Sequence, residues 1–572
     1  MNRQKDHSIF FLLGILVIIF LGSSGYGQEA EKIQRGEQDL NREEELRRRI
    51  QFVPRPSLIE TEKESSSSLP TASPGEKIYV RSVVVKGVTV FSRQDIVGIV
   101  SKFEQKDLSF GHIRELAENI TEVYRERGYI NSRAYIPPQT IADGILTVQV
   151  VEANIADIRV EGNRYFKPFL YIKELALKKG DILNYFHLKR GLRRINSHPD
   201  RLARIVVSPG EEPGSTDLLI KVSERFPFHS GWGWDNFGSR YVHQDRYKTV
   251  LTHNNVTGHG DILSFQYLLT QANTMAFTYL SYVFPLCNDL RVGFFTGRTK
   301  VDLADEYKAL EVRGKSKVYS VYAIQSLLNE ERVHVDLNVG FDYTDVFNFQ
   351  LGQESGRDRM RVVRIGIDAD FTDQQGRTIF TDEINFGVPN IMGGLRAKDD
   401  RASRAGSGGR FVKKDISLLR LQKMPKDSFL FLKNQFQFSP YTLTASEQFQ
   451  IGGIANLRGY SPAEEVGDRG YSSSVEWSFP AYGLSPKIQV PFSRATLHEA
   501  LRFAVFYDWA NVTLNNPQAD EEKSTTLRSV GCGFRVTLPE DFFIRLDIGW
   551  PLDRTPRDDT HAHTWLQVIK NF

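Results

Sequence analysis

Downstream of about Phe226 the chain repeats one pattern: stretches in which polar and apolar residues alternate with a period of two, separated by short turns or long polar loops. Tyr471, Ser473, Val475, Trp477 and Phe479 share one face of such a stretch, and Ser472, Ser474, Glu476 and Ser478 the other. In the next, Phe503, Val505, Tyr507 and Trp509 point one way, and Ala504, Phe506, Asp508 and Ala510 the opposite way. Trp232 and Trp234 oppose His229, Gly231, Gly233 and Asp235; Phe542, Ile544, Leu546 and Ile548 oppose Arg545 and Asp547. Strands with one apolar and one polar face suit lipid outside and a wet lumen inside. About 16 of them, joined alternately by short connections such as Thr257–Asp261 and Asn329–Arg332 and by long polar ones, predict a transmembrane β-barrel over residues 225–572.

Other patterns precede the barrel. Residues 1–27 carry Arg3 and Lys5, an apolar run from Ile9 to Leu21, and small residues ending at Gly25-Tyr26-Gly27, which predicts a secretory leader cut after Gly27. The run falls short of the ~20 residues that a helical span needs. Residues 28–50 are mostly charged, with Ile33, Leu40, Leu46 and Ile50 as the large apolar residues; they fit a helix in water, either a solvated arm or a plug in a polar lumen. Residues 51–78, with Pro54, Pro56, Ser65–Ser68, Pro70 and Pro74, read as a linker unable to pack a core. Then Val85-Lys86-Gly87-Val88-Thr89-Val90-Phe91 recurs as Val160-Glu161-Gly162-Asn163-Arg164-Tyr165-Phe166, so two copies of one small module, 79–153 and 154–224, stand in tandem. Each reads as strand, two helices, two strands. In the first, Ser92 and Ser109 cap the helices and Gly128 ends the second; in the second copy Leu188, Leu192 and Ile195 line a helix.

Composition changes the picture in three ways. A mean hydropathy of −0.35 is that of a soluble protein; a barrel gives such a value because only alternate residues face lipid. The balance of 73 basic and 70 acidic residues, net +3, gives no electrostatic reason to invoke nucleic acid. The two cysteines, Cys287 and Cys532, exclude a disulfide framework. Enzymatic chemistry is hard to place. His561 and His563 lack a third metal ligand. The mixed charges Glu476, Asp508, Arg535, Arg545 and Asp547 are what a wet lumen carries by default. The loop from Gly393 to Gly409, with Lys398, Arg401, Arg404 and Arg410, reads as a mobile surface loop rather than a phosphate cradle. No catalytic residue, metal or cofactor is expected.

The sharpest local signal is the loop Gly452-Gly453-Ile454-Ala455-Asn456-Leu457-Arg458-Gly459-Tyr460. Its glycines permit tight turns and close approach to a wall. Arg458 offers a planar fork for a carboxylate, and Asp508, with Glu476 on the neighbouring strand, faces inward where that fork would find it. A clamp formed by Gly452, Gly453, Leu457, Arg458, Gly459 and Tyr460 against Asp508 and Glu476 is the expected site.

Leu457-Arg458-Gly459-Tyr460 in a long loop, followed by Phe506-Tyr507-Asp508-Trp509-Ala510-Asn511-Val512 and by Leu527-Arg528-Ser529-Val530-Gly531-Cys532-Gly533-Phe534-Arg535-Val536, resembles the transporters of bacterial two-partner secretion, the TpsB or ShlB/FhaC-like family within the BamA-like superfamily. Gly128–Gln139 and Gly144–Glu152 resemble the family's first POTRA domain. The resemblance implies a barrel behind two periplasmic POTRA domains, export of one large unfolded TpsA-like exoprotein and a monomer in outer-membrane lipid, and for the N-terminal helix it favours a plug in the lumen over a solvated arm without deciding between them. It also gives the terminal Phe572 the look of the signal read by barrel-assembly machinery. The family's motif has Val or Ile where Leu457 stands, and Gly where Ala510 stands, which puts the packing near Asp508 in question but not the ion pair. The competing function is an outer-membrane assembly factor of the BamA type.

Overall fold

A computed structural model describes residues 28–37, 40, 44, 58–61, 77–485, 487–491, 493–519 and 521–572. The leader expected at 1–27, most of the arm beyond residue 37 and most of the linker lie outside the described residues. The chain divides into two compact units, Pro54–Phe226 and Met1–Val53 with Pro227–Phe572.

The larger unit is a closed barrel of sixteen strands, each antiparallel to its neighbours, running from Phe228–Asp235 to His563–Asn571. The alternation in the sequence becomes the two faces of the wall. On the twelfth strand, Arg469–Pro480, Ser472, Ser474 and Glu476 are buried while Val475 and Trp477 are exposed on the side that lipid covers. The seam pairs Gly231–Asp235 with Asn571–Gln567, and Phe572 extends it: its N–H donates to Ser230 O at 2.8 Å. The sixth to eighth strands, Arg313–Asn329, Val333–Gln350 and Gln353–Thr372, are 17, 18 and 20 residues long. A tilted strand crosses a bilayer in ~9–11 residues, so these project well beyond it.

The alternation of short and long connections is less regular than the sequence suggests. The seventh and eighth strands meet through Leu351-Gly352 alone, because the long strands themselves build the projection. On the opposite end, residues 481–500 form a long connection that closes with the helix Leu497–Ala500, capped by Thr496 and Glu499. Between the eleventh and twelfth strands, residues 439–468 leave the wall and fold into a small hairpin, Phe449–Ile451 paired with Glu465–Gly467.

Residues 28–37 form a helix in the same unit. Its charged side chains meet inward-facing wall residues. Glu37 pairs with Arg246, which is also held by Asp235 at 2.6 Å; Asn348 donates to Glu31 at 2.5 Å; Gln450 donates to the Lys32 carbonyl at 3.0 Å. Beyond it, Glu44 meets Lys248 at 2.7 Å. One apolar contact anchors the helix: Ala30 and Ile33 sit among Val242, Leu268, Met275 and Phe277.

The smaller unit holds two modules. The first sheet runs Ser82–Lys86, Ile145–Val151, Arg133–Tyr135, with the helices Arg93–Val100 and Phe110–Glu126 packed over Leu116, Ile120, Tyr124, Leu146 and Val148. A further strand pair, Lys77–Val80 with Lys106–Ser109, was not legible from periodicity. The second places Asn154–Glu161, Arg201–Pro209 and Ser215–Glu224 under the helices Pro168–Leu175 and Tyr185–Ser197. Both modules end on the same device. Glu152 accepts from the Thr89 and Val90 N–H groups and from Tyr124 Oη at 2.7 Å; Glu224 accepts from the Arg164 and Tyr165 N–H groups and from Tyr171 Oη at 2.5 Å. One reading of the linker is corrected: Ile59–Thr61, within the tract expected to pack nothing, is a strand on the edge of the second module, because Leu58-Ile59 is an apolar step between Pro56 and the serine run.

Candidate functional site

The hairpin of residues 449–467 carries its tip onto the inner wall. Gly452 and Gly453 turn it at φ +118° and +80°, and a Cβ at Gly459 would lie 2.6 Å from Ser529 Cβ, so the backbone there lies against the fourteenth strand, Ser524–Leu538. Leu457 and Tyr460 are fully buried among Ile451, Ala510, Val512 and Leu527. The Ala510 methyl is part of that cluster, so the alanine fills space there without displacing the loop.

Arg458 is 2% exposed. Its Nε and Nη2 reach the two carboxylate oxygens of Asp508 at 2.9 and 2.8 Å, and its own backbone N–H donates to Asp508 at 3.0 Å. Nη1 reaches Glu476 at 2.5 Å, Nη2 also donates to Ser474 Oγ at 3.0 Å, and the guanidinium lies 3.3 Å above the Phe506 ring centre. The arginine's carbonyl accepts from Trp565 Nε1 at 2.7 Å. Glu476 is thus a direct partner alongside Asp508, and the cluster continues: Arg535 spans Glu476 and Asp547 at 3.1 and 2.6 Å, and Arg545 meets Asp547 at 2.8 Å. Three guanidiniums face three carboxylates in a desolvated pocket, a balanced arrangement in which every charge has a counterpart.

Sequence reasoning missed Ser474, Phe506, Asp547 and Trp565 as neighbours of Arg458. Alternation places the first three inward, but only the register around the barrel brings strands twelve, thirteen and fifteen to one point: Ser474 stands opposite Asp508, and Gly533 opposite Asp547. Nothing in the local sequence marks Trp565.

One other reading is corrected. The loop expected to be a mobile surface segment, 393–409, is packed: Arg404 is 2% exposed and bonds Asp468 at 2.8 and 3.0 Å, while Ser403 donates to Asp358 at 2.6 Å. Asp468 also accepts from the N–H groups of Leu443 and Asn515, so it ties three loops together. The carboxylates that bury this loop lie on distant strands and turns, beyond the reach of local composition. His563 bonds Asp558 at 2.9 Å and the Gly459 carbonyl at 3.1 Å. Burial works against charge on Asp558, yet bonds from His563, Ser461 and Thr560 hold its carboxyl below the usual carboxylate range. Among the described residues no group of three or more His, Cys, Asp or Glu side chains is arranged to hold a metal. Cys287 and Cys532 are free and exposed.

What the arrangement around Arg458 offers is a fixed position for a loop inside a barrel. Comparisons with known proteins agree with that geometry. A model of the haemolysin secretion/activation protein family ShlB/FhaC/HecB matches residues 214–536, and one of the ShlB-type POTRA domain matches 78–153. The heme/hemopexin transporter protein HuxB of Haemophilus influenzae is 24% identical over 489 residues, 84% of each chain. The solved structure of CdiB from Escherichia coli superposes with a TM-score of 0.72 at 18% identity, covering 96% of this chain and 99% of that one. BamA from Haemophilus ducreyi, lacking its first three POTRA domains, gives 0.52 at 14% identity over 87% of this chain and 100% of that one. The chain belongs to the ShlB/FhaC/HecB family and is an outer-membrane transporter of the two-partner secretion type, with its POTRA region in the periplasm.

Proposed function

We propose that the chain receives one large unfolded exoprotein on two periplasmic POTRA domains, 79–153 and 154–224, and passes it to the cell surface through a lumen that two withdrawable elements close at rest. The first is helix 28–37, a plug; the second is the hairpin tip, clamped by Arg458 on Asp508 and Glu476. The observation that carries this reading is how both are held. Beside the apolar contacts of Ala30 and Ile33 in the helix and of Ile454, Leu457 and Tyr460 in the tip, each is fixed by ion pairs and hydrogen bonds that water or the backbone of a passing chain can replace. The equivalent Glu152 and Glu224 anchors support treating 154–224 as a second POTRA domain. Phe572, exposed beside the seam, suits recognition by barrel-assembly machinery during biogenesis, and the closed sixteen-strand wall suits a monomer in lipid.

The test is the secreted protein profile of cells that lack the chain or carry Arg458→Ala. Loss of one dominant large species from the medium in both, with Arg458→Ala still inserted in the outer membrane, is expected. Normal export by that variant would sink the clamp, and an unchanged medium with depleted outer-membrane barrels would favour the BamA-type assembly role.

A further inference from the structure

We propose that the outward face of the fifth and sixth strands, Leu290–Asp302 and Arg313–Asn329, holds a phosphorylated glycolipid of the outer leaflet. Its phosphates sit on Arg298, Lys300, Lys315 and Lys317, and its acyl chains lie on the apolar rows beneath.

With the POTRA region in the periplasm, the first strand rises toward the cell surface and so does the fifth. Along that direction the register stacks three kinds of row. Phe294 stands opposite Val321, and Val321 opposite Phe341; two residues higher, Thr296, Tyr319 and Tyr343 stand side by side. Phe294, Tyr319 and Val321 are exposed on the side that lipid covers. The next two outward rows change character. Arg298 stands opposite Lys317, and Lys300 opposite Lys315, all four exposed. At about 3.3 Å per residue along a strand tilted by about 40°, these rows lie roughly 5 and 10 Å above the tyrosines. Where tyrosines mark the edge of the hydrocarbon, that is the level of the headgroup phosphates.

Like charges directly opposite one another in a sheet repel. Here two such pairs are adjacent, and the chain does little to offset them. Asp302 meets Lys300 at 2.8 Å, and Lys315 lies 5.5 Å over the Phe349 ring. Among the described residues Arg298 and Lys317 have no acidic partner; Asp345, opposite Lys317 in the register, is held by Arg361 at 3.0 Å. An anion that spans the block relieves the repulsion. Four cations in a rectangle of roughly 5 by 6.5 Å suit two phosphates carried on one headgroup.

The patch is also local. On the first three strands the outward residues nearest the surface are Trp234, Tyr247 and Leu269, and on the ninth and tenth they are Phe386 and Val412. Cations gathered on one side of the rim, directly above an apolar band, match a molecule that is anionic above and apolar below. A soluble acidic protein would make no use of Phe294 and Val321.

The experiment titrates full-length protein in detergent with bisphosphoryl lipid A and reads bound lipid by native mass spectrometry. Arg298→Gln with Lys317→Gln should weaken binding about tenfold, and Lys300→Gln with Lys315→Gln should do so independently. Lys86→Gln with Lys102→Gln, which removes the same charge from the smaller unit, should leave binding unchanged. Heat-modifiable migration on a gel checks that each barrel is folded. Lipid A stripped of both phosphates should bind wild type no better than bisphosphoryl lipid A binds the first variant. Equal affinity in wild type and both block variants, or equal weakening in the Lys86 and Lys102 control, overturns the site. Equal competition by phosphatidylglycerol or by inorganic phosphate overturns its assignment to a bisphosphorylated glycolipid.

Discussion

Asp508→Asn is the cleanest probe of the clamp, since it keeps shape and removes one charge. Asp508 accepts from Arg458 three times, at 2.8, 2.9 and 3.0 Å, and from Ser474 Oγ at 2.7 Å, with the bonds divided over its two oxygens. An asparagine has one oxygen. Turned either way the amide loses two accepted bonds: NH2 toward the Arg458 backbone N–H and Nε makes two donor–donor clashes, and NH2 toward Nη2 and Ser474 makes one, the Ser474 hydroxyl being able to turn and accept. Hydrogen bonds to a charged group are worth ~1.5–3 kcal/mol each, and breaking a buried pair by removing one partner costs ~3–5 kcal/mol. The two routes agree on about 3–5 kcal/mol. The cluster also becomes unbalanced, three guanidiniums against two carboxylates. At 1.4 kcal/mol per tenfold, release of the hairpin tip rises by roughly two to three orders of magnitude. Hydrogen exchange read by mass spectrometry on a peptide covering residues 452–465 should lose protection by that factor, while the strand Phe542–Pro551 keeps its own. Equal protection in wild type and Asp508→Asn would refute the argument that the pair holds the loop. So would an equal loss in Phe542–Pro551, which would mean that the wall rather than the tip had loosened.

Arg404→Ala removes the guanidinium bonded to Asp468, which keeps the N–H groups of Leu443 and Asn515, so the cost falls near the low end, about 3 kcal/mol; protease cleavage within 393–409 should accelerate, and an unchanged digest would show that the loop is held by something else. Glu31 is fully buried, and burial, then the neighbouring Asp358 charge, raises its carboxyl well above the ordinary range. A raised carboxyl favours docking of helix 28–37 at low pH and opposes it as pH rises past the ordinary carboxylate value. Bilayer conductance of wild type should therefore increase from pH 4.5 to 7.5, and Glu31→Gln should stay low throughout; the same rise in both would remove Glu31 as the cause. Glu152 behaves in the opposite sense: burial raises its carboxyl, but bonds from Thr89, Tyr124 and Val90 outweigh it and hold it low. Its contribution is present at neutral pH and fades as pH falls below the ordinary carboxylate range. Glu152→Gln should expose the Leu146–Val150 amides to exchange at pH 7 by about 1 kcal/mol after allowance for solvent screening, with no difference from wild type in acid.

What could be read in advance follows from the range of each interaction. The barrel was legible because its rule is local: period two, repeated, fixes which side chains face lipid, and Trp477 against Glu476 needs no knowledge of the neighbouring strands. Arg458, Asp508 and Glu476 could be singled out because a lone arginine among glycines faces inward acids. That Asp547 and Arg535 join them depends on strand register, and that Trp565 grips the Arg458 carbonyl depends on closure of the barrel; neither leaves a mark in the surrounding residues. The 393–409 loop misled for the same reason. Glycine and arginine read as solvated until Asp358 and Asp468 are found to lie beside them. The strand Ile59–Thr61 failed differently: three residues carry too little periodicity to register, and only an open edge makes a strand of them.

The two lumenal elements share a physical style that suits a transporter. A buried ionic cluster is a poor source of net stability, because desolvation offsets most of the Coulomb gain, but it is sharply selective for geometry. Arg458 is held by partners on three strands at once, so small shifts of the wall break several bonds together, and a flooded lumen resolvates the charges that separation exposes. The apolar contribution to the tip comes from two small clusters, one around Leu457 and Tyr460 and one in which Ile454 meets Phe237 and Trp565. Had the same volume been filled with leucines, withdrawal would have cost roughly 25 cal/mol for every Å² returned to water, with no solvent compensation. Ionic seating therefore allows a barrel to be tightly closed at rest and still to open without an external energy source, provided that the incoming chain supplies backbone bonds in place of those it displaces.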